Sequence, residues 1–303
     1  MLAEVGGKIY FMSYSAAILD TRALFSSPLL RHRKASASSS TPGRNDPDTA
    51  VRIKPGPARP NDFALIIGID RYRGVPQASY AERDAALFRK YAVATLGVPE
   101  KNAVLLSGDR ARLSDITNHI EAWLPKVSRP GSRVYFYFSG HGAPDPAKGN
   151  SYLIPWDGDP SFLISSAYSV QRLYSKLEEL NAREVVVALD ACFSGIWSRS
   201  IIAPGLRPLV RTVETPLMDK SKLSVLTAAR SDEVAGSIDE RGHGLFTYYV
   251  LKGLQGEASD SSGRLTLGGL HSFVQKKVQS EARRQNRDQT PQIFSSTPGL
   301  ILR

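Results

Sequence analysis

The sequence predicts an α/β fold with a mostly parallel central sheet and helices on both faces. Short apolar runs of strand length alternate with segments of helical period, as they do in consecutive β-α-β units. The strand-like runs are apolar throughout, which is typical of parallel strands buried on both faces. A chain of 303 residues can bury a sizeable core, in one large domain or two modest ones.

The first half of this pattern lies before residue 140. Apolar side chains in its first helical segment recur on one stripe, which indicates an amphipathic helix. Ser114 is suited to cap the next helix, because its hydroxyl can accept a hydrogen bond from a main-chain N–H of the first turn. The predicted elements are a strand at 63–69, a helix at 80–96, a strand at 104–106, a helix at 114–124 and a strand at 133–139.

The second half repeats the alternation with one interruption. Ser169 and Thr266 stand where helix caps are expected, and residues 197–222 show no clear period. The predicted elements are a helix at 170–180, a strand at 185–189, a strand at 223–229, a helix at 244–254 and a helix from about 266 to 278.

Two chemically active residues follow two of these strands. His141 stands between Gly140 and Gly142, and Cys192, the single cysteine of the chain, comes two residues after Asp190. Ligands of open α/β sheets bind at the carboxyl ends of the strands, so neighbouring strands would bring both side chains to one edge. An imidazole can take the proton of a thiol and produce a nucleophile. A single buried cysteine is more often a core residue, but the paired arrangement favours catalysis.

The stretches Ser139-Gly-His141-Gly and Asp190-Ala-Cys192-Phe-Ser-Gly195 resemble the paired motifs of the caspase-like clan of cysteine peptidases, the C14 type, which includes metacaspases, paracaspases and bacterial relatives. The histidine lies about 50 residues before the cysteine, as in caspases, although the glycine stands one residue further on. The resemblance runs from about residue 62 to at least residue 254. It implies a caspase-like (caspase-hemoglobinase) fold and a cysteine endopeptidase with a His141–Cys192 dyad. We expect the main-chain N–H groups of Gly142 and Cys192 to stabilise the oxyanion.

Three acids are candidates for a specificity pocket. Asp84 begins a predicted helix, Asp190 ends the strand before Cys192, and Glu233 follows the strand at 223–229. Carboxylates near the thiol would select Arg or Lys at the scissile position. In the resemblance, Asp84 and Asp190 match acidic positions of the branch that cleaves after basic residues, and Glu233 matches a third in a loop of variable length. The alternatives are a first-turn helix acid for Asp84, a strand-end turn carboxylate for Asp190 and, for Glu233, an acid without a functional role.

The resemblance also divides the chain. We predict a disordered basic extension at residues 1–60 and a peptidase domain at 61–303, with a large-subunit-like part at 61–200, a linker at 201–221 and a small-subunit-like part at 222–303. An enzyme specific for basic residues could cut itself near that linker, as a zymogen does. The candidate cleavage sites are Arg199, Arg207, Arg211, Lys220 and Lys222.

Charge and composition limit the partners. The net charge is +10, but residues 1–60 carry nine basic and four acidic residues, and residues 276–303 carry six and two. The body is therefore nearly neutral, which disfavours nucleic acid as a functional partner and leaves polypeptides as the expected substrates. No apolar run approaches the about 20 residues that span a bilayer, and residues 1–20 form no clean signal peptide. We expect no membrane association.

One cysteine excludes an intramolecular disulfide and a cysteine-based zinc site. It suits a reducing compartment, and we expect a cytoplasmic protein. No cofactor is predicted. Calcium activation is a property of many metacaspases, but no Asp-x-Asp-x-Asp-Gly loop occurs, and Asp145, Asp157 and Asp159 are weak candidates only. A competing hypothesis is a catalytically silent caspase-like scaffold or adaptor, and the oligomeric state stays open.

Overall fold

The computed structural model describes residues 53–144, 150–193 and 221–303, together with two short strands near the start of the chain. Those strands, β1 (Leu2–Val5) and β2 (Lys8–Phe11), pair antiparallel with Glu4 opposite Ile9. They belong to a unit of their own, Met1–Pro42, and everything below concerns the larger unit, Gly43–Arg303. The predicted extension and linker fall mostly outside the described residues, so those predictions stay predictions.

The larger unit alternates strands with helices as the sequence predicts. Its described elements are, in chain order, β3 (Phe63–Gly68), α1 (Ala81–Ala94), β4 (Ala103–Ser107), α2 (Leu113–Asn118), α3 (Leu124–Val127), β5 (Arg133–Ser139), β6 (Gly142–Pro144), β7 (Ser151–Leu153), α4 (Leu163–Ser166), β8 (Tyr168–Ser169), α5 (Val170–Glu178), β9 (Glu184–Asp190), β10 (Leu223–Thr227), β11 (Ser237–Ile238), β12 (His243–Gly244), α6 (Leu245–Lys252), α7 (Leu267–Arg284) and β13 (Gln292–Ser295).

The central sheet has six strands in the order β13-β10-β9-β5-β3-β4. Five of these strands, β3, β4, β5, β9 and β10, are parallel to one another. The sixth, β13, pairs antiparallel with β10 at the edge. Three of the four inner strands, β3, β5 and β9, are almost entirely buried and consist largely of apolar runs without alternation. The prediction of a mostly parallel sheet is confirmed.

Two hydrophobic cores lie on opposite faces of this sheet. Along β3, Ala64 and Ile66 face one core, which α1, α6 and α7 cover, and Leu65 and Ile67 face the other, which α2, α3 and α5 cover. Alternate residues of a strand point to opposite faces, so one apolar strand supplies both cores. Helices therefore cover both faces, as predicted.

The predicted caps are confirmed at two helices and wrong at a third. Ser169 Oγ accepts from the Arg172 N–H at 3.3 Å, and Thr266 Oγ1 accepts from the Gly269 N–H at 3.1 Å. Ser114 lies inside α2. The carboxylates of Asp115 and Asp157 cap that helix instead, by accepting from the main-chain N–H groups of residues 112 and 113. A charged acceptor outcompetes a hydroxyl for these donors. The helix continues as a π-helical turn before α3.

Three features of the fold are absent from the sequence prediction. β13 is short and half exposed, so it has no apolar run to reveal it. The three-stranded sheet β6-β7-β8 and the hairpin β11-β12 are built from pieces of two or three residues. No helix in the part of the chain that the structure describes is both long and apolar enough to cross a membrane.

The larger unit also begins earlier than residue 61. The main-chain N–H groups of Gly56 and Arg59 donate to the carbonyls of Ala94 and Gly97 at 2.9 Å, and the Thr95 hydroxyl donates to the Lys54 carbonyl. Prolines exclude this segment from a helix but leave its other main-chain groups available to the α1 end. Residues 53–60 are therefore part of the body.

Candidate active site

The register of two neighbouring strands positions the histidine and the cysteine. β5 and β9 pair in parallel, with Ser139 opposite Asp190, so the chain leaves both strands at the same level. His141 and Cys192 each follow two residues later. The Gly140 N–H donates to the Asp190 carbonyl at 3.3 Å. The expected delivery of both residues to one edge of the sheet is what the register produces.

Gly142 allows the two segments to approach closely. A Cβ at this position would collide with the Cys192 carbonyl and with the Phe193 ring. The Ile154 N–H donates to the His141 carbonyl, so the next pair along this antiparallel ladder, Gly142 and Leu153, is a pair without hydrogen bonds. The Gly142 N–H therefore points away from β7.

His141 is buried, and its surroundings fix its tautomer. Its Nε2 lies 2.8 Å from the Pro76 carbonyl oxygen, which can only accept a hydrogen bond, so Nε2 carries the proton in the neutral ring. Nδ1 is then the basic nitrogen. The His141 N–H donates to the Tyr72 hydroxyl at 2.7 Å, and the Tyr72 ring packs against the imidazole at 4.9 Å. The sequence named no residue that orients this ring, because a main-chain carbonyl has no residue-type signature.

Cys192 is buried, with only 1 % of its surface exposed. The Ala235 N–H donates to Sγ at 2.8 Å, and Sγ lies 3.6 Å from the Ala235 carbonyl oxygen. Ala235 belongs to loop 228–236, which follows β10. A reacting carbonyl carbon must come within about 3–3.5 Å of the nucleophile. The described conformation is therefore a closed one, in which the thiol must be uncovered before a polypeptide can reach it.

Two of the three candidate acids lie around one buried tyrosine. Thr247 Oγ1 donates to Asp190 Oδ2 at 2.6 Å and accepts from the Tyr137 hydroxyl at 2.7 Å. Burial is the main cause that raises the pKa of Tyr137 well above its ordinary value, and the charges of Asp84 and Asp190 raise it further. The structure therefore brings Asp84 and Asp190 to the same side of the sheet edge, next to the cysteine segment.

Asp84 has a partner that the sequence did not reveal. His243 Nδ1 lies 2.5 Å from Asp84 Oδ1, and the Gly244 N–H donates to Oδ2 at 2.8 Å. Both side chains of the pair are fully buried. Asp84 thus joins α1 to β12, although 159 residues separate the two partners in the sequence. No periodic or local pattern could have indicated this pair.

Glu233 lies elsewhere and makes different contacts. Its Oε2 accepts from the Thr290 N–H at 2.5 Å and from the Arg230 N–H at 3.2 Å, and its Oε1 accepts from the Thr290 hydroxyl at 2.8 Å. This carboxylate joins loop 228–236 to the segment before β13. Its described contacts are those of a residue that holds a loop.

A metal site is not apparent in the described ranges, which hold no cluster of three or more His, Cys, Asp or Glu side chains. Asp157 accepts from the Leu113 N–H, and Asp159 accepts from the Ser161 N–H. Both acids thus act as local caps, and Asp145 lies outside the described residues. Calcium activation stays a prediction.

Comparison with known proteins gives the family and the fold. The family model of the caspase domain, Peptidase C14, matches residues 61–300. A probable protease from a Desulfuromonadales bacterium is 27 % identical over 246 residues, which cover 72 % of this chain and 29 % of that protein. Metacaspase-2 of Trypanosoma brucei brucei is 30 % identical over 149 residues, which cover 44 % of this chain and 41 % of the metacaspase. The chain therefore spans less than half the length of these curated relatives.

Solved structures agree on the architecture. A protein from Geobacter sulfurreducens aligns with a TM-score of 0.56 at 17 % identity, over 78 % of this chain and 93 % of its own. Caspase-1 from Spodoptera frugiperda aligns with a TM-score of 0.57 at 14 % identity, over 81 % of this chain and 92 % of its own. Both likenesses show the fold and confirm the predicted caspase-like architecture. The match of the family model over residues 61–300 shows that this chain belongs to the caspase domain family, Peptidase C14.

Proposed function

We propose that this protein is a cysteine endopeptidase in which Cys192 is the nucleophile and His141 is the general base. The observation that carries the proposal is the register of β5 and β9, which brings both residues to one edge of the sheet. The Pro76 carbonyl supports the role of His141, because it holds the proton on Nε2 and leaves Nδ1 to accept another.

The reaction follows from these groups. His141 Nδ1 takes the thiol proton, and the thiolate forms a bond to the carbonyl carbon of the substrate. The N–H groups of Gly142 and Cys192 stabilise the negative oxygen of the tetrahedral intermediate. The C–N bond then breaks as His141 returns the proton to the leaving amine. A water, deprotonated by His141, attacks the thioester, releases the new carboxyl terminus and restores the thiol.

We propose that cleavage follows Arg or Lys. Asp190 is fully buried two residues before the nucleophile, and Asp84 lies beside the same tyrosine. A carboxylate in a desolvated pocket strongly prefers a cationic side chain. Asp84 is already hydrogen-bonded to His243, so its carboxylate is less available to a substrate. Asp190 is therefore the main selector, and Asp84 supports it. Glu233 contributes less, because Thr290 and the Arg230 N–H occupy its oxygens.

The closed thiol supports a zymogen that opens on activation, by self-processing, by calcium or by both. Among the candidate cleavage sites, Lys222 alone lies in the described ranges. Its ammonium group donates to the Leu180 carbonyl at 2.5 Å, directly before β10. Cleavage is therefore expected at the other basic residues, Arg199, Arg207, Arg211 or Lys220.

The test is cleavage of short fluorogenic peptides that end in Arg, Lys or Asp, by wild type and Cys192→Ala, with and without calcium. We expect the wild type alone to cleave, after Arg or Lys. Cleavage after Asp would retain the dyad and remove the acidic selectors. Equal hydrolysis by both proteins would sink the assignment of Cys192. A wild type that stays inactive, even after limited proteolysis of the linker, would favour the silent scaffold.

A further inference from the structure

The Gln289 side chain, far from the dyad in sequence, bridges the two ends of the loop that contacts Cys192. Gln289 is 1 % exposed, and both ends of its amide are engaged. Its Nε2 donates to the Ala228 carbonyl at 2.9 Å, and its Oε1 accepts from the Gly236 N–H at 3.0 Å. Ala228 and Gly236 are the two ends of loop 228–236. The amide of Gln289 therefore fixes the span of this loop, and with it the position of Ala235.

Arg287 strengthens the same closure. Its Nη1 donates to Gln289 Oε1 at 2.6 Å and to the Val234 carbonyl at 3.2 Å. A Cβ on Gly236 would collide with the guanidinium, so the group lies directly against the main chain next to Ala235. Its Nη2 is buried, and within the described parts of the chain it meets no hydrogen-bond acceptor. A buried cationic nitrogen without an acceptor is costly unless a negative charge lies near it.

The Cys192 sulfur supplies such a charge when the thiol is ionised. Burial lowers the pKa of the Arg287 guanidinium, and the negative charges of Cys192 and Glu281 act in the opposite direction. That attraction is mutual, so the guanidinium favours the thiolate. The Ala235 N–H, 2.8 Å from Sγ, favours it too, since a donor on sulfur stabilises the anion more than the thiol. The Ala235 carbonyl oxygen favours the thiol, but it is a longer contact at 3.6 Å.

Other charged groups around the sulfur act against or beside this effect. Asp190 precedes Cys192 by two residues on β9, and Glu233 precedes Ala235 by two residues in the loop. Both carboxylates disfavour a second negative charge. His141, from the segment after β5, favours it only when protonated. Stabilisation of the thiolate that His141 generates thus depends on the Ala235 N–H and on Arg287.

We propose that Gln289 and Arg287 are positioning residues of the peptidase reaction, which hold the Ala235 main chain on Cys192 Sγ and so stabilise the thiolate that forms when His141 takes the proton. This inference rests on the proposed function, because it gives these two residues a role in preparing that nucleophile. Both residues lie in the segment 285–290, which follows α7 and is far from His141 and Cys192 in the sequence. Its effect is carried through hydrogen bonds to loop 228–236 and through the charge of Arg287.

The experiment uses the single cysteine of the full chain. Alkylation by iodoacetamide, followed by intact mass spectrometry over a range of about pH 5 to 9, reports the ionisation of Cys192 alone. The variants are Gln289→Met, which keeps the buried volume, and Arg287→Gln, which removes the charge of a half-buried side chain. The control is Gln292→Ala, because Gln292 donates to the carbonyls of Thr290 and Pro291 and not to the loop.

We expect the midpoint of the alkylation profile to rise in both variants and to stay unchanged in the control. A rise of one pH unit corresponds to about tenfold slower alkylation below the midpoint, and we expect about that for Gln289→Met and about threefold for Arg287→Gln. Peptide turnover should fall in kcat more than it changes in KM. Circular dichroism checks that each variant is folded. If Gln289→Met is not, the inference is tested with Arg287→Gln alone.

Two results would overturn the inference. An unchanged midpoint in folded variants would show that the network is structural only. Faster alkylation at every pH with an unshifted midpoint would show that the loop only covers the thiol and does not stabilise the thiolate. Alkylation needs no turnover, so a protein that cleaves no peptide would contradict the proposed function while the midpoint still decides the role of Gln289 and Arg287.

Discussion

The edge of the sheet and loop 228–236 contribute to the candidate site in different ways. The edge is made of neighbouring buried strands, whose main-chain ladder sets the level of His141 and Cys192. The loop is held by side chains, chiefly Gln289, Arg287 and Glu233, that bond to its main chain. The ladder cannot shift without breaking the core, whereas the loop can move when a few side-chain bonds break. The difference suggests that the sheet places the chemistry and the loop controls access and charge.

A change in the sheet far from the site tests whether the sheet and the loop act independently. Arg133 and Glu184 are the first residues of β5 and β9 and lie opposite each other, at the end of the strands away from the site. Arg133 Nη2 is 2.6 Å from Glu184 Oε2. The Arg133 side chain is buried and also donates to the Tyr135 hydroxyl and to the Ile301 carbonyl. We expect Arg133→Met to cost about 3–5 kcal/mol of unfolding free energy, because it removes the ion pair with Glu184 and leaves the buried Tyr135 hydroxyl without its donor.

The measurement for Arg133→Met is denaturant unfolding, read beside the alkylation profile of Cys192. A matched control is Arg172→Met, because Arg172 pairs with Glu121 while about half exposed, and we expect that change to cost under about 1 kcal/mol. The folded Arg133→Met protein should keep the wild-type alkylation midpoint. A shifted midpoint would show that the two regions are not independent.

A smaller effect is expected when one acid of each region is neutralised. Asp190→Asn removes a buried carboxylate of the sheet edge, and we expect kcat/KM for Arg peptides to fall by the equivalent of about 2–5 kcal/mol. Glu233→Gln changes the loop acid, whose carboxylate oxygens already accept hydrogen bonds from Thr290 and from the Arg230 N–H. We expect a loss of only a few-fold there. Equal losses in steady-state kinetics, or a larger loss for Glu233→Gln, would reverse the assignment of the main selector.

The smallest expected effect concerns the pH dependence of the fold away from the site. Burial by itself would raise the pKa of Glu121, but hydrogen bonds from Arg172 and Tyr168 outweigh it and hold this pKa below its ordinary value of 4.5. A carboxyl group with a lowered pKa in the folded state stabilises the protein above its unfolded-state pKa, and this contribution is lost as the pH falls through the folded value. Glu121→Gln should cost about 0.5–1 kcal/mol at neutral pH.

The check on Glu121→Gln is urea unfolding of wild type and variant at neutral pH and at about pH 3. The difference in unfolding free energy should shrink as the pH falls below 4.5. A difference that is the same at both pH values would show that the lost contact is steric and not ionic.

The sequence was most informative where one residue type carries the signal. Apolar runs located β3, β5 and β9, and a run interrupted by Ser224 located β10. The residues after two of these strands are His141 and Cys192. It was least informative where a main-chain atom is the partner. The Pro76 carbonyl and the Ala235 N–H could have belonged to any residue type, so no pattern marked them.

Long-range side-chain partners were equally hidden. Asp84 pairs with His243, and Gln289 with Ala228, across 159 and 61 residues. An acid at the start of a helix and a glutamine two residues before a proline are ordinary features of any chain. Only the fold brings such residues together, which is why the loop and its supports could not be read from the sequence while the strands could.

The most direct test of the central claim is covalent capture of the nucleophile with a substrate-like reagent. A peptidyl chloromethyl ketone ending in Arg, and its counterpart ending in Asp, would be incubated with wild type, Cys192→Ala and His141→Ala, and each product weighed by intact mass spectrometry. We expect a single adduct on wild type from the Arg reagent, none on Cys192→Ala and a much slower one on His141→Ala. An adduct that forms as fast on His141→Ala, or only from the Asp reagent, would contradict the central claim.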